Sequence, residues 1–416
     1  MNFQELSGKS VLLLGKTRSL KGSEFETLLK LHRIELTRKW DEKSALIIEG
    51  RLMNPLEQQE SADLYERRAA KIVEINAVEE WLCRSIEPNR LLMSLKLSND
   101  QERLVDFLQN PYLGDELFYK LLKLYDWETE GLFDNDRNRD VTASIIGRFY
   151  KDLARNHNVQ YAMSGLAHLI ERYGNRELID AISELSPIQK ELRTPGDRSL
   201  AGVLDAMAIH PETGERILRL LLPSRASVLA QRVPLSLENV LMGLQEEPVN
   251  RLLASNPSLS PEGGEVLEKQ YPELIGAATV LDEGRFNRLI QEHAAALATN
   301  RSLSVSMQEE LLQRGELEVH KGLAKNPCVE ELLLKMLYEK GECPLELASN
   351  TSLPERFLRE LYAQGGREIL SMIALNPSAP VEILYQLSLD QRFERSVKTN
   401  PAYGKHIQTH NLGWQV

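Results

Sequence analysis

Leu347-Ala348-Ser349-Asn350 is one of five copies of a short phrase, apolar then Ala then any residue then Asn, in the C-terminal half of this 416-residue chain. The others are Leu253-Ala254-Ser255-Asn256, Leu297-Ala298-Thr299-Asn300, Leu323-Ala324-Lys325-Asn326 and Ile373-Ala374-Leu375-Asn376. With Asn400 as a further anchor, successive Asn residues stand 44, 26, 24, 26 and 24 positions apart. A period in this range marks a solenoid, whose units cannot bury an apolar face alone and must stack on their neighbours. A stacked rod offers a long surface for binding, so the period also points to recognition ahead of catalysis.

Counting each anchor Asn as zero, the apolar residue at −3 and the Ala at −2 are expected to pack inward, with another apolar residue at +3: Leu259, Leu303, Val329, Leu353 and Ala379. Pro261, Pro354 and Pro380 suit the first turn of a helix, where a missing N–H has no intrahelical partner to lose. Ser260 is placed to cap the first of these. Paired apolar positions follow at +7 and +8 (Leu333 with Leu334, Phe357 with Leu358, Ile383 with Leu384), then one at +11 (Leu337, Leu361, Leu387), which makes a single apolar stripe. A small Ala at −2 lets layers approach closely. Asn-Pro punctuation stops the short preceding helix from running into the next. Each repeat therefore reads as helix, turn, short helical segment, turn, with no β signal.

Composition is that of a folded chain, 42% hydrophobic and 27% charged. The net charge of −11 disfavours nucleic acid held by phosphate neutralisation, which needs an excess of Lys and Arg. Three scattered cysteines, Cys83, Cys328 and Cys343, fit neither a disulfide framework nor a four-thiolate cluster. The amino terminus lacks a signal-like pattern and no apolar run approaches the ~20 residues of a membrane span. A reducing, cytoplasmic setting is expected.

The first ninety residues read differently. Ser10 to Gly15 is a β-rich apolar run, and Phe25, Leu28, Leu29 and Leu31 recur at helical spacing after Gly22-Ser23. Ile34 to Arg38 alternates, Ala45 to Gly50 reads as a buried strand, and Pro55 opens a polar helix running to about Ala70. Lys71 to Ile75 is a fourth strand. Asn76-Ala77-Val78-Glu79 then opens a last helix containing Trp81, with Asn76 and Glu79 at capping-box spacing.

This β-α-β-β-α-β-α order, with Trp81 in the last helix, resembles a BRCT domain, a small parallel-sheet module found in many proteins of DNA replication and repair. His32 and Arg33 replace the paired glycines the family often carries, and Leu14 precedes Gly15 where phosphopeptide-binding members place Ser or Thr. Phosphate binding is therefore not carried over. A basic turn remains at the carboxyl end of the first strand, Lys16, Thr17, Arg18 and then Lys21, at the edge where open α/β sheets bind ligands. Two readings stand for it, a ligand or partner site and a solvated loop. Gly15-Lys16-Thr17 is no Walker A loop, because the position five before Gly15 is Ser10.

The repeats, with Asn326-Pro327, Asn376-Pro377 and Asn400-Pro401, resemble the leucine-rich variant repeat. That resemblance implies an all-α right-handed solenoid of about 24-residue units, set here at residues 93–416 behind a head at 1–92. The match is clearest over 250–403. Leu229-Ala230-Gln231-Arg232, Met207-Ala208-Ile209-His210 and Leu153-Ala154-Arg155-Asn156 keep the phase, and Phe107-Leu108-Gln109-Asn110 is a candidate first unit. Near 170–200 the register is irregular, with Pro187 and Thr194-Pro195-Gly196 marking a loop or break. One relative of this repeat type carries an iron–sulfur domain, whose cysteines have no counterpart here, so no cofactor is expected.

Other chemistry was sought by motif. Asp134, Asp136 and Asn138 open like a calcium loop, but Arg139 and Ile145 replace the turn Gly and closing Glu, which leaves a polar turn. His406 and His410 lack a third metal ligand. No nucleophile motif occurs. Arg392, Arg395 and Lys398, with Lys405, form a positive patch on the last repeat, read first as a polar cap and second as a ligand site.

The expected function is a non-catalytic protein-interaction adaptor with a protein partner, tied to DNA replication or repair through the BRCT-like head. The alternative is a DNA-binding helical-repeat protein with the architecture of HEAT-like DNA glycosylases.

Overall fold

The computed structural model describes residues 3–128, 130–151, 157–194, 196 and 198–409. The chain divides into two compact units, residues 1–224 and 225–416, and each is described by itself.

The first unit opens with a small parallel α/β domain. Strands β1 (Ser10–Leu14), β2 (Glu35–Thr37), β3 (Ser44–Glu49) and β4 (Lys71–Glu74) form one parallel sheet in the order β2-β1-β3-β4. The two central strands supply its core. Val11 to Leu14 and Leu46 to Ile48 are fully or almost fully buried, because helices cover both faces and a doubly covered strand must be apolar throughout. The edge strand β4 instead carries exposed Lys71 and Glu74 at its ends and half-buried Ile72 and Val73 between them.

Helices α1 (Gly22–Leu31), α2 (Pro55–Glu66) and α3 (Ile75–Arg84) connect and follow the strands. From α2, Leu64 packs on Leu12, Leu14 and Ile47. Trp81 of α3 stacks on Phe3 at 5.1 Å between ring centroids and lies 4.6 Å from the His32 ring.

A capping box exists in this domain, but not where the sequence places one. Asn54 accepts the N–H groups of Leu56 and Glu57 at the start of α2, and Glu57 accepts the Asn54 N–H at 2.8 Å. At α3 the N-cap is Glu74, with no side-chain cap. Glu79 is drawn to the β1–α1 loop, where several N–H groups compete successfully for its carboxylate.

The rest of the first unit is helical: α4 (Pro88–Ser98), α5 (Gln101–Leu108), α6 (Asp115–Leu122), α7 (Asp136–Phe149), α8 (Met163–Tyr173), α9 (Arg176–Ser183), α10 (Ser186–Arg193), α11 (Ala201–Ile209) and α12 (Glu215–Leu229), the last broken at Arg225. The residue-92 boundary falls inside α4. Contacts tie these helices to the head: Arg103 pairs with Glu24 at 2.5 Å, and Asn110 donates to the Ser19 carbonyl at 3.2 Å and to Cys83 Sγ at 3.4 Å. Within 170–200, Pro187 lies in the first turn of α10 rather than in a loop, whereas Thr194 and Gly196 lie outside the helices. Around the calcium-like turn, Asn135 caps α7 by accepting the Asn138 N–H, and buried Asn138 bonds Tyr125 and the Gly131 carbonyl. Leu153 to Asn156 and Pro195 lie outside the described residues.

The second unit is made of short helices in successive pairs, and the anchor asparagines explain how each pair meets the one before. Each described anchor is almost completely buried. From Asn350, Nδ2 donates to the carbonyls of Ala324 at 2.7 Å and Asn326 at 3.0 Å, and Oδ1 accepts the Ser352 N–H at 2.7 Å. Asn326 repeats the pattern on Ala298 and Asn300, Asn376 on Ala348 and Asn350, and Asn400 on Ala374 and Asn376. One side chain thereby satisfies two carbonyls at the end of the preceding layer's short helix, plus the turn of its own layer. Buried backbone groups need such partners, since each orphan costs about 1–3 kcal/mol.

This bonding also resolves the 44-residue gap between Asn256 and Asn300. Helices Pro261–Glu268 and Pro272–Ala278 form a further layer there, with Gly276 in place of Ala and Thr279 near the Asn position. Asn300 donates to the carbonyls of Gly276 and Thr279, both at 2.7 Å. Upstream, Arg232 takes the Asn position, and Asn256 donates to the carbonyls of Ala230 and Arg232. Within the first unit, His210 Nδ1 accepts the Glu212 N–H at 3.2 Å, as an anchor Oδ1 does.

Packing follows the same period. Around Asn326, Asn350 and Asn376 the residues at −3, −2, +3, +7, +8 and +11 are all buried, in one apolar cluster running from Leu281 to Val397. A Cβ on Gly322 would sit 2.7 Å from that of Ala298, which shows how closely neighbouring layers meet. Ser260 caps its helix by accepting the Gly263 N–H, whereas Pro354 and Pro380 occupy the N-cap itself. At the last anchor the −2 residue is Lys398 rather than Ala, and helix Pro401–Thr409 takes the Asn400 carbonyl through the Gly404 N–H.

Candidate interaction surfaces

The β1–α1 loop brings Lys16, Thr17 and Arg18 together at the carboxyl edge of the sheet. Gly15 precedes them at φ +78°, and a Cβ there would lie 2.6 Å from the Arg51 carbonyl oxygen, so glycine is required. Lys16 and Arg51 exchange two backbone hydrogen bonds, each 2.7 Å.

The loop's N–H groups point at the protein's own carboxylates. The Gly15 N–H donates to Glu57 at 3.0 Å. Arg18, Ser19 and Leu20 all donate to Glu79, at 2.8, 2.9 and 3.2 Å. Glu79 is fully buried, and its charge is met by this cradle of backbone dipoles. Hydrogen bonds from Asn54 and then Gly15 hold the Glu57 carboxyl below its usual pKa. An anion entering this edge would have to displace two internal carboxylates.

The side chains of the loop divide. Arg18 donates to Asn76 at 3.0 Å, and Lys21 turns to Asp106 at 2.6 Å, a hydrogen bond and charge pairing that raise its pKa. Lys16 is exposed and makes no ion pair among the described residues, and Thr17 is half-buried.

In the second unit, Arg392, Arg395 and Lys398 share helix Gln391–Lys398, whose Phe393 and Val397 face the core. Arg392 pairs with Asp390 at 2.6 Å and Lys398 with Glu394 at 2.6 Å, and Arg395 alone makes no ion pair among the described residues. The patch is therefore less positive than its sequence. His410 lies outside the described residues.

Ion pairs also link the outer faces of successive long helices. Arg356 meets Glu331 at 3.3 Å, and Arg359 bridges Glu355 at 2.5 Å and Glu382 at 3.3 Å. Beside them, Leu332 and Met336 are exposed one turn apart on helix Glu331–Lys340.

No group of three His, Cys, Asp or Glu side chains among the described residues could hold a metal, and no helix there is long and apolar enough to cross a membrane. Burial pushes the Cys83 thiol up to about 12 and Cys343 up to about 11, so both stay protonated and poorly nucleophilic.

Two carboxylates the sequence reading did not single out as loop partners, Glu57 and Glu79, prove central to the head. Their spacing from the loop, 42 and about 60 residues, gives no local signal. The anchor asparagines were visible as a period, but their bridging role depends on a neighbouring layer.

No family model, curated protein or solved structure matches the chain, which stands on its own geometry as a small four-stranded parallel α/β domain followed by a long all-helical region.

Proposed function

We propose that this protein is a non-catalytic scaffold, with a BRCT-like head and a right-handed helical solenoid related to leucine-rich variant repeats, and that a protein partner lies along the exposed helix faces. The observation that supports this best is the series of asparagine-to-carbonyl hydrogen bonds from Asn256 to Asn400. These bonds, with the −3, −2 and +3 side chains, commit the inward groups of each layer to its neighbours. Outward side chains are then free to be set by a partner without loss of the fold.

The head would contribute its outer side chains, Lys16 and Arg18 among them, since its loop N–H groups are occupied by Glu57 and Glu79. A link to DNA replication or repair rests on the head's strand order alone. Free thiols throughout suit a reducing cytoplasm.

Gentle affinity capture with the full-length protein, from the cell it comes from, tests this reading. A stoichiometric protein partner is expected, with capture reduced by the paired charge reversals Arg356→Glu and Arg359→Glu. Repeated recovery of no protein, together with duplex DNA binding that falls steeply with salt, would replace the scaffold with the DNA-binding alternative.

A further inference from the structure

Three arginines converge on one groove of the first unit. A cavity of about 440 Å³ is lined by Ser183, Gln189, Leu192, Arg193, Arg216, Arg219 and Leu220. Arg193 ends α10, and Arg216 and Arg219 stand three residues apart at the start of α12, spacing that puts both on one helix face. No carboxylate lines this space.

The nearby acids are engaged at its margin. Glu184 takes Lys123 at 2.8 Å and reaches Arg216 only at 3.9 Å. Glu215 receives two donors of Arg219, at 2.9 and 2.6 Å, within the same helix. Arg193 has no ion pair, and the Gln189 side chain has no hydrogen-bond partner, among the described residues. Three arginines thus line the space, with a carboxylate within 4 Å of Arg216 and of Arg219, in a chain whose net charge is −11.

Like charges gathered around one cavity repel each other unless something negative enters. Guanidinium is the group suited to that role, because its planar fork donates two parallel hydrogen bonds to one oxyanion. Arg219 now directs both Nε and Nη2 at the single Glu215 Oε1, and as an exposed pair within one helix this contact is cheap to exchange. Leu192 and Leu220 add an apolar wall, so the space is larger and less polar than an inorganic ion alone would need.

We propose that this groove binds a phosphate monoester, its dianionic head among Arg193, Arg216 and Arg219 and its organic stem against Leu192 and Leu220. Gln189 supplies a neutral donor beside the charged ones. The site is independent of the scaffold reading, because it uses neither the asparagine series nor the helix faces placed against a partner there.

Calorimetric titration of the full-length protein at low ionic strength tests it, with N-acetyl-phosphoserine amide and glucose 6-phosphate as probes and N-acetyl-aspartate amide and glucose as controls. Saturable binding of a phosphorylated probe is expected, and the tighter of the two tells a peptide source from a metabolite source. Arg193→Gln combined with Arg216→Gln should weaken it about tenfold or more, as loss of charge-assisted hydrogen bonds requires. Arg193→Lys should weaken it in part, and Arg395→Gln in the other unit should leave it unchanged. All replaced residues are exposed, so thermal unfolding should be unaltered. The proposal is overturned by no saturable binding of either phosphorylated probe, by equal binding of the aspartate control, or by binding that survives the double substitution.

Discussion

The head and the anchor series meet the same physical demand, partners for backbone groups at the ends of short elements, in opposite ways. In the β1–α1 loop, donors are gathered on two carboxylates brought from distant parts of the chain. In the second unit, acceptors are gathered on a neutral amide that recurs every 24 to 26 residues from Asn300 onward. The head's solution is made once and depends on the whole domain being folded. The repeat's solution is made layer by layer and needs only its neighbour, so it can be copied along a chain.

That contrast sets the sizes of mutational effects. Asn350→Ala should be the most damaging, because it removes the side-chain partner of the Ala324 carbonyl and the Ser352 N–H and leaves the Asn326 carbonyl with the long 3.3 Å bond from the Val329 N–H. A loss of about 4 kcal/mol is expected by chemical denaturation, and a loss under about 1 kcal/mol would show that water replaces the amide. Glu79→Ala should follow at about 3 kcal/mol, somewhat less because Arg18 and Ser19 lie near solvent. Glu79→Gln should recover part of that loss, as it keeps an acceptor oxygen.

Packing comes next. Ala324→Leu fills the space through which neighbouring layers approach and should cost about 2 kcal/mol. The same change at Lys398, where the −2 residue of the last anchor is already large and exposed, should be nearly neutral. Equal effects at the two sites would erase the distinction between inner and terminal layers.

Acid sensitivity separates the regions further. Glu57 has a folded-state pKa below its ordinary value of 4.5, from the Asn54 and Gly15 N–H groups. Its contribution is therefore full above that ordinary value and is lost as pH falls through the lower folded value. Glu57→Gln should flatten this part of the acid-unfolding curve, and an unchanged curve would show that the hydrogen bonds are not formed in solution. Smallest of all, Arg395→Ala should change stability by no more than about 0.5 kcal/mol, since its side chain is exposed and makes no ion pair among the described residues.

Much of this was legible in the sequence. Strands show as apolar runs and layers as a period, because both patterns report burial, which acts residue by residue. The layer inside the 44-residue gap escaped because Gly276 and Thr279 preserve its carbonyls without preserving its letters. The Asn76–Glu79 capping box was misread for a related reason. The spacing is right, but the loop of Arg18 to Leu20 offers Glu79 more donors than its own helix does. The arginine groove drew no notice, since Arg193 and Arg216 are ordinary surface residues until α10 and α12 bring them to one cavity.

Side-chain amide hydrogen exchange, followed by NMR on full-length protein labelled at asparagine, addresses the layer-to-layer bonding most directly. The Nδ2 protons of Asn326, Asn350 and Asn376 should exchange orders of magnitude more slowly than those of the exposed Asn99, because opening them requires parting two layers. Exchange of all four at the same fast rate would contradict the asparagine series as the bond between layers.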